Sequence, residues 1–562
     1  MVVDIMDITM QKERLSKHRL TPHSMSKYVV FLAVAPLSNI AVAQNKVNLS
    51  ATANAEAIYQ TVQSENDGQL SYNSYTITPN VLSSYESKLF NGIWSAGVTY
   101  VERENDISSD ETTFPEYNYS ANLRLIENYL TISAAGNLSY QNTTAGNYLL
   151  ADFVNNPEEL SKTRSNRITS NLQFENNDWV RAQGVASYSD VASERSVNNN
   201  TALNNDSYSL EGTLASGDRA RFAIWALSGS FQTTQQQDRS DDFITRSAEF
   251  ISDIMVYDSF SLRINATHEG NQISDRTDTS SFARTYSTYG LGLTYRTGLN
   301  RYVSITANKS DSSEEDNDNE TFVGLDLEWA LSSRTSLTAS YGKRFYGNAA
   351  DVKFTYNTKN IRTSFSYSES VTNTSRLLAN PENLGVFVCP AESTALADCF
   401  QPNSLSYTPT AEEQIVQFTT QNIEFDDNVI LRKSSNFQFG YSFSKVSTGF
   451  SWRYAEDQYL DADRLRRSYS GAINIAYQLG KYTDIQLNAT YANVNERGDV
   501  TTEGISENYN VDASVNRSFG RHTTAALKFT YLDKSGDLNT GSLFGANYMD
   551  RRISLVITYK YE

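Results

Sequence analysis

The sequence predicts an all-β protein, a large antiparallel transmembrane β-barrel of the outer membrane with about 24 strands, in a range of roughly 20 to 26. Three observations predict this fold. Apolar and polar residues alternate over long stretches, short and long polar connections follow each other in turn, and an export signal directly precedes the first alternating stretch.

The composition fits this class. The chain has 562 residues, a formal net charge of −18 and a mean hydropathy of −0.49, with 35 tyrosines and only 9 prolines. No stretch beyond residue 44 approaches the ~20 apolar residues that a membrane helix needs. A polar average suits a barrel, because half of each strand faces a wet lumen. The negative charge argues against nucleic acid as a partner.

The N-terminus predicts a secretory signal. An apolar run ends in a small-x-small pattern, which places cleavage between Ala43 and Gln44. We therefore expect a leader over residues 1–43, with Met25 as the preferred start of translation, and a single barrel domain over residues 44–562. A single transmembrane anchor is the alternative, but its run is short and interrupted.

The final strand shows the period-two alternation clearly, with one apolar face made by Ile553, Leu555, Ile557, Tyr559 and Tyr561. A soluble sandwich alternates too. Here, however, the apolar face continues for five or six positions in several stretches, which matches the ~9–11 residues of a membrane strand. The opposite face carries Asn, Ser, Thr and Gln, as a lumen requires. Four tryptophans near predicted strand ends fit an interfacial girdle: Trp94, Trp179, Trp329 and Trp452.

Short turns alternate with longer polar loops, the pattern of outer-membrane barrels. Tight turns are predicted near residues 127, 176, 217, 299, 332, 358, 480 and 520. Longer loops are predicted at 105–116, 141–163, 190–206, 233–242, 272–282, 309–320, 371–412, 456–466, 495–504 and 533–544. An even strand number places both termini in the periplasm. Because the first strand starts almost at the cleavage site, no plug domain is expected.

Loop 371–412 is the longest and holds both cysteines, Cys389 and Cys399. The exported compartment is oxidising, so a local disulfide is expected. A metal site is disfavoured because the segment contains no histidine. The loop either folds over or into the barrel as a constriction, or stays outside as a stapled extracellular loop.

One region carries more specific motifs. W-x-x-S-x-R-T lies at residues 329–335, Y-G-x-R-F-Y-G at 341–347 and Y-S-E-x-V-T at 367–372. This series resembles the PEP-CTERM system-associated outer-membrane protein family, with a detailed match over roughly residues 320–455. The resemblance implies association with exopolysaccharide and exosortase gene clusters, and it carries over no catalytic residues. One departure is the terminal Glu562, where such barrels usually end on an aromatic residue.

The strands of the motif region place charges on the lumen face. With the apolar positions facing lipid, the inward residues include Asp326, Glu328, Arg344, Lys353 and Arg362. They form either a polar track for a passing glycan or a self-satisfied acid–base ladder that stiffens the wall, and the ladder is the preferred interpretation.

The sequence does not predict an enzyme. After cleavage, the histidines are His268 and His522, and neither lies in a catalytic-triad or metal-ligand spacing. No catalytic, cofactor-binding or metal residues are assigned, and no cofactor is expected. The acidic run at 311–318 suits a solvated loop tip, with divalent-cation binding as the alternative.

The expected function is a passive channel or assembly component for exopolysaccharide secretion, because a barrel of more than ~16 strands leaves an aqueous channel unless it is filled. Two alternatives remain: a structural protein with a closed lumen that organises surface polymer, and a general diffusion porin. The expected partners are outer-membrane lipid and lipopolysaccharide, the barrel assembly machinery, and exopolysaccharide with its export components.

Overall fold

A computed structural model describes the chain in segments. These are residues 46–65, 68–104, 109–127, 129–142, 153–155, 157, 160–174, 178–195, 202–236, 241–275, 282–298, 300–313, 319–378, 386–390, 413–417, 428–460, 463–498, 503–538 and 547–561. No helix among these residues is long and apolar enough to cross a membrane.

The described segments are almost entirely β-strand. The elements are β1 (Lys46–Ser64), β2 (Gly68–Glu86), β3 (Phe90–Glu104), β4 (Ser109–Ile126), β5 (Leu130–Asn142), β6 (Leu160–Phe174), β7 (Val180–Ser193), β8 (Asn204–Ser216), β9 (Ala223–Gln236), β10 (Asp241–Tyr257), β11 (Phe260–Asp275), β12 (Phe282–Gly298), β13 (Arg301–Ser312), β14 (Thr321–Ser332), β15 (Thr335–Arg344), β16 (Gly347–Asn357), β17 (Ile361–Asn373), α1 (Thr374–Leu378), β18 (Val386–Pro390), β19 (Glu413–Gln417), β20 (Val429–Phe443), β21 (Val446–Tyr459), β22 (Leu465–Gly480), β23 (Thr483–Arg497), β24 (Gly504–Phe519), β25 (Thr523–Gly536) and β26 (Tyr548–Tyr561).

Twenty-four of these strands form one closed antiparallel sheet. Each strand pairs with the next along the chain, β17 pairs with β20, and β1 closes the ring against β26. The closing register runs from Ala51 opposite Tyr561 to Ser64 opposite Tyr548. Closure leaves no edge strand, so every backbone ladder is satisfied within the sheet. The predicted all-β antiparallel barrel and the count of about 24 strands are confirmed.

The two ends of the barrel differ. At the turn end, where β1 begins and β26 ends, the connections are short, such as the two residues between β14 and β15. At the opposite loop end the connections are mostly longer. Several strands extend further toward the loop end than the sequence pattern suggested; β4 begins at Ser109, inside the predicted loop 105–116. The extra residues continue the sheet beyond the apolar belt, where no strict alternation is required.

The connection between β17 and β20 is longer than the predicted 371–412 and spans 374–428. It contains α1 and a separate two-stranded sheet, β18 paired with β19, in the register Val386 opposite Gln417. Asn373 begins α1 as its N-cap, because its Oδ1 accepts the backbone N–H of Arg376 at 3.0 Å.

Candidate lumen site

The outer face of the barrel is apolar over a height that matches a bilayer. On β24, Phe519 near the turn end and Tyr509 nearer the loop end are exposed, with Val515 exposed between them. The two rings are ten residues apart in the sequence. At ~3.4 Å per residue and a strand tilt of ~40°, this separation corresponds to about 25 Å of height, the thickness of the apolar band in membrane barrels.

A row of tyrosine–carboxylate pairs marks the upper boundary of this apolar belt. On the outer face, near the loop end, tyrosine hydroxyls donate to carboxylate oxygens at distances of 2.6–3.2 Å. The pairs are Tyr188–Asp206, Tyr367–Glu369, Tyr454–Glu456 and Tyr491–Glu507. An amphipathic phenol beside a charge is suited to the interface between lipid tails and headgroups.

The predicted tryptophan girdle lies closer to the turn end. Trp94, Trp179 and Trp452 are exposed by 45%, 66% and 36%, respectively. Trp179 directly precedes β7, and Trp329 lies three residues before the end of β14.

The inner face is built from small hydroxyl and amide side chains. On β13, Ser304, Thr306, Asn308 and Ser310 follow each other at every second position, and each is buried. Cross-strand hydrogen bonds link such rows; Asn265 Nδ2, for example, donates to Asn308 Oδ1 at 2.9 Å. The buried polar side chains of the wall are thus mainly hydroxyls and amides, as the alternation predicted, with buried charges at some positions such as Arg432 and Asp457.

Helix α1 lies in the lumen and is held by a buried arginine. Arg376 is 9% exposed, and its guanidinium donates to Thr234 Oγ1 and Thr245 Oγ1, both at 3.0 Å. It also donates to the carbonyls of Gln232 and Phe243, and its Cζ lies 3.9 Å from the centre of the Phe243 ring. All of these acceptors are neutral. Burial lowers the pKa of the guanidinium to about 9, which still leaves it charged at neutral pH.

The rest of α1 joins two distant parts of the wall. Leu377 and Leu378 are each 4% exposed and belong to one buried cluster with Val191, Leu203, Ile430 and Tyr459. Val191 lies on β7 and Ile430 on β20, with ten strands between them around the ring. Because α1 packs in one buried cluster with both regions, it lies inside the lumen near the loop end and narrows it there.

A second loop segment also enters the lumen. Asn155, from the β5–β6 connection, is 1% exposed. Its Oδ1 accepts from Gln60 Nε2 at 2.8 Å and from the Tyr72 hydroxyl at 3.2 Å, while its Nδ2 donates to Asp550 Oδ2 at 2.5 Å. These contacts join the loop to β26, β1 and β2. Two segments of the barrel's own loops therefore occupy the lumen among the described residues.

A buried ion-pair cluster stiffens the wall nearer the turn end. Arg263 is 2% exposed and donates to both oxygens of Asp253, at 2.8 and 3.0 Å. Its Nη1 donates to Asp326 Oδ2 at 3.1 Å, and Arg296 Nη2 donates to Asp253 Oδ2 at 2.8 Å. The arrangement ties β10, β11, β12 and β14 together in bidentate geometry.

Two of the sequence-predicted lumen charges make ion pairs. Asp326 belongs to the cluster above, and Arg344 Nε lies 3.4 Å from Glu269 Oε1. Both partners, Arg263 and Glu269, lie on β11, which is three strands from Asp326 on β14 and four strands from Arg344 on β15. Because the charges are already compensated, these two positions favour the ladder interpretation over the track.

The other three predicted charges are placed by register. Glu328 and Lys353 lie opposite the same residue, Thr338, from its two sides. Arg362 lies opposite Asn357 on one side and Gly440 on the other. Glu328 on β14 and Lys353 on β16 thus flank Thr338 on β15, the strand between them.

Several predicted positions lie outside what the structure describes. The cleavage site Ala43–Gln44, the whole leader and Cys399 are among them, and the side chain of Cys389 on β18 is also not described, so the disulfide stays a prediction. Residues 314–318 of the acidic run also lie outside the described residues. In the described segments, no group of three or more His, Cys, Asp or Glu is arranged to hold a metal ion. His268 lies at the surface, where Nδ1 hydrogen-bonds Ser287 Oγ at 2.9 Å.

Among the described residues, the wall carries cavities that include two of similar size and different chemistry. One, of about 290 Å³, lies against β2–β6 and is lined by Thr78, Asn80, Ser95, Asn118 and Ser165, with Leu378 of α1 at its edge. The other, of about 270 Å³, lies against β9–β17 and is lined by charged residues that include Glu249, Glu269, Asp326, Arg344 and Asp351.

Sequence reasoning missed the residues that fill the lumen. Arg376 and Asn155 lie in polar loops with no periodic pattern, and Asp253 and Arg263 lie outside the motif region. The available signal was weak: the pair Leu377–Leu378 is one of several short apolar stretches in this connection, beside 386–388 and 415–416.

Comparison with known proteins gives matches to solved structures alone. No family model and no curated protein matches the chain. The FrpB iron transporter of Neisseria meningitidis (F3-3 variant) aligns with a TM-score of 0.40 and 9% identity, covering 90% of this chain and 81% of its own. The siderophore receptor PirA of Pseudomonas aeruginosa gives 0.34 and 11%, covering 91% and 80%. A loop-deletion mutant of OmpT, an outer membrane protein of Vibrio cholerae, gives 0.28 and 7%, covering 92% and 99%. At these scores the similarities carry no argument about what this chain binds or transports.

Proposed function

We propose that this protein is an outer-membrane β-barrel that serves the secretion of an exopolysaccharide, as a channel whose loop end is narrowed by α1 and opens when α1 undocks from the wall. One observation carries the proposal. The closed ring of 24 strands encloses a lumen whose wall is mainly hydroxyl and amide groups, and the narrowing comes from loop segments of the same chain.

The chemistry of the wall supports a carbohydrate cargo. Hydroxyl and amide groups both donate and accept hydrogen bonds, so they can exchange partners with the hydroxyls of a moving sugar chain. A wall of fixed charges would instead hold or repel ionic cargo. The motif resemblance to PEP-CTERM system-associated proteins points the same way and suggests exosortase-linked export components as partners.

The outer-membrane location is supported by the apolar belt of about 25 Å and its polar boundary of tyrosine–carboxylate pairs. Lipid and lipopolysaccharide are then the surroundings of the outer face. We propose no enzymatic activity.

Deletion of the gene in the producing organism tests the export role. We expect polymer to accumulate inside the cell envelope and to decrease outside, with both effects reversed by the wild-type gene in trans. Unchanged extracellular polymer would refute the export role. The purified protein should also give conductance steps in planar bilayers, and a complete lack of conductance under all voltages would favour the structural protein with a closed lumen.

A general diffusion porin is the less supported alternative. A porin needs a lumen that is open at rest, whereas α1 contacts wall regions separated by ten strands. Constant, voltage-independent permeability to small solutes in the wild-type protein would favour the porin.

A further inference from the structure

The cavity against β2–β6 has the dimensions of a small binding site. Its volume of about 290 Å³ lies near the lower bound for ligand pockets in proteins, so it suits a short segment of a larger molecule. Four adjacent strand pairings form its floor, which makes the site rigid.

Most of the polar side chains that line this cavity are neutral. Thr78 and Asn80 come from β2, Ser95 from β3, Asn118 from β4 and Ser165 from β6. These side chains are neutral and can act as donors, acceptors or both. The charged lining residues are one acid, Glu116, and one base, Arg167, so the local net charge is close to zero.

One polar atom in the lining lacks a partner. The Oδ1 of Asn80 is buried and accepts no hydrogen bond from the described residues. A buried acceptor without a donor costs ~1–3 kcal/mol, so such atoms in native proteins call for an explanation. A rotation of the Asn80 side chain toward the cavity would bring this acceptor within reach of a ligand hydroxyl, whereas a carboxylate or phosphate ligand would bring a further acceptor.

The cavity against β9–β17 differs from the β2–β6 cavity in the charge of its lining. Its charged residues are already engaged with one another, as in the Arg344–Glu269 and Arg263–Asp326 pairs. The two cavities therefore differ in what they can offer to a passing chain, although both lie on the lumen wall.

Helix α1 adjoins the neutral cavity. Leu378 lines its edge, while Arg376, two residues earlier, is fixed to β9 and β10. Undocking of α1 would remove Leu378 from the edge and widen access to the cavity.

We propose that the β2–β6 cavity is a binding subsite for a short stretch of an uncharged, polyhydroxylated chain, covered at its edge by α1. This inference rests on the proposed function and names the class of cargo, a neutral rather than an acidic polysaccharide. The site holds the chain through exchangeable hydrogen bonds from Thr, Ser and Asn side chains, which suits passage better than tight retention.

The test is isothermal titration of the full exported chain, purified from membranes, with two probes: a neutral glucose hexamer and a hexauronate of the same length. Asn80→Leu and Ser95→Val remove hydrogen-bonding groups from the neutral cavity. Ser228→Val makes the same serine substitution in the charged cavity and is the matched control. Asn80→Leu removes an unsatisfied buried acceptor, so it should fold normally.

We expect the neutral hexamer to bind and the hexauronate to bind more weakly. Asn80→Leu and Ser95→Val should each weaken binding of the neutral hexamer by about three- to tenfold, the value of one hydrogen bond, while Ser228→Val leaves it unchanged. Absence of hexamer binding, preference for the hexauronate, or equal effects of all three variants would overturn the inference. None of these outcomes affects the export role, which the deletion strain tests separately.

Discussion

Replacement of Arg376 by alanine should destabilise the docked position of α1. The change removes four hydrogen bonds and the contact with the Phe243 ring, but it also removes a buried cation that lacks a carboxylate partner among the described residues. Loss of these contacts weakens the docking of α1, whereas removal of the buried charge relieves a desolvation cost. The two effects partly cancel, so the free energy of docking falls by about 2 kcal/mol. A loss of this size raises the ratio of undocked to docked α1 by about 30-fold.

Leu377 and Leu378 should keep α1 docked for most of the time in the Arg376→Ala variant. Leu377 and Leu378 are nearly fully buried, and each contributes ~1.5–3 kcal/mol to docking. We therefore expect Arg376→Ala to show frequent brief openings rather than a constant open level. Leu377→Ala combined with Arg376→Ala should lengthen these openings further.

Single-channel recording in planar bilayers measures this effect. Arg376→Lys, which keeps the charge but loses the planar fork, should give an intermediate opening frequency. Arg551→Ala is the matched control, because Arg551 is exposed on the outer face of β26. An opening frequency of Arg376→Ala equal to that of the wild type, or a similar increase in Arg551→Ala, would refute the role of Arg376 in holding α1.

Three further predictions concern the wall. Asp253→Ala should lower the free energy of unfolding by about 3–5 kcal/mol, because Arg263 then stays buried without its bidentate partner; urea titration in lipid vesicles measures this. Gly292→Ala should be strongly destabilising, since a Cβ there would overlap the backbone carbonyl oxygen of Ile305 on β13, whereas Gly212→Ala has its nearest atom at 3.8 Å and should be tolerated. Leu555→Arg places a charge in the apolar belt and should cost about 2–4 kcal/mol in lipid.

Each of these variants has an outcome that contradicts its reasoning. An unfolding midpoint of Asp253→Ala within error of the wild type would show that the cluster does not stabilise the wall. Equal stability of the two glycine variants would show that the β12–β13 contact is not tight. Insensitivity to Leu555→Arg would place that position outside the apolar belt.

The sequence predicts the barrel well because the determining pattern is local. Alternation along one strand, such as β26, identifies which residues face outward, and the alternation of short and long connections gives the number of strands. Neither inference requires knowledge of distant contacts. The tight turns predicted near residues 332 and 480, for example, correspond to strand boundaries in the structure.

The lumen contents could not be predicted in the same way. Arg376 is separated from Thr234 by 142 residues, and Asn155 from Asp550 by 395. Loops that enter the lumen obey no period, so their contacts depend on the ring being closed first. The predicted inward charges illustrate the limit: register places Arg344 on the wall, but its partner Glu269 follows only from the three-dimensional structure.

Immobilising α1 tests the central claim most directly. Asn205 Nδ2 donates to Ser375 Oγ, so paired cysteines at these positions bring two thiols close enough to be joined by oxidation or by a short bifunctional thiol reagent. In the producing organism, joining Asn205→Cys to Ser375→Cys should stop the appearance of polymer outside the cell, and a reductant should restore it after oxidation. The two single-cysteine variants, treated identically, should export normally. Export that continues unchanged while α1 is joined to β8 would contradict the account of a channel controlled by α1.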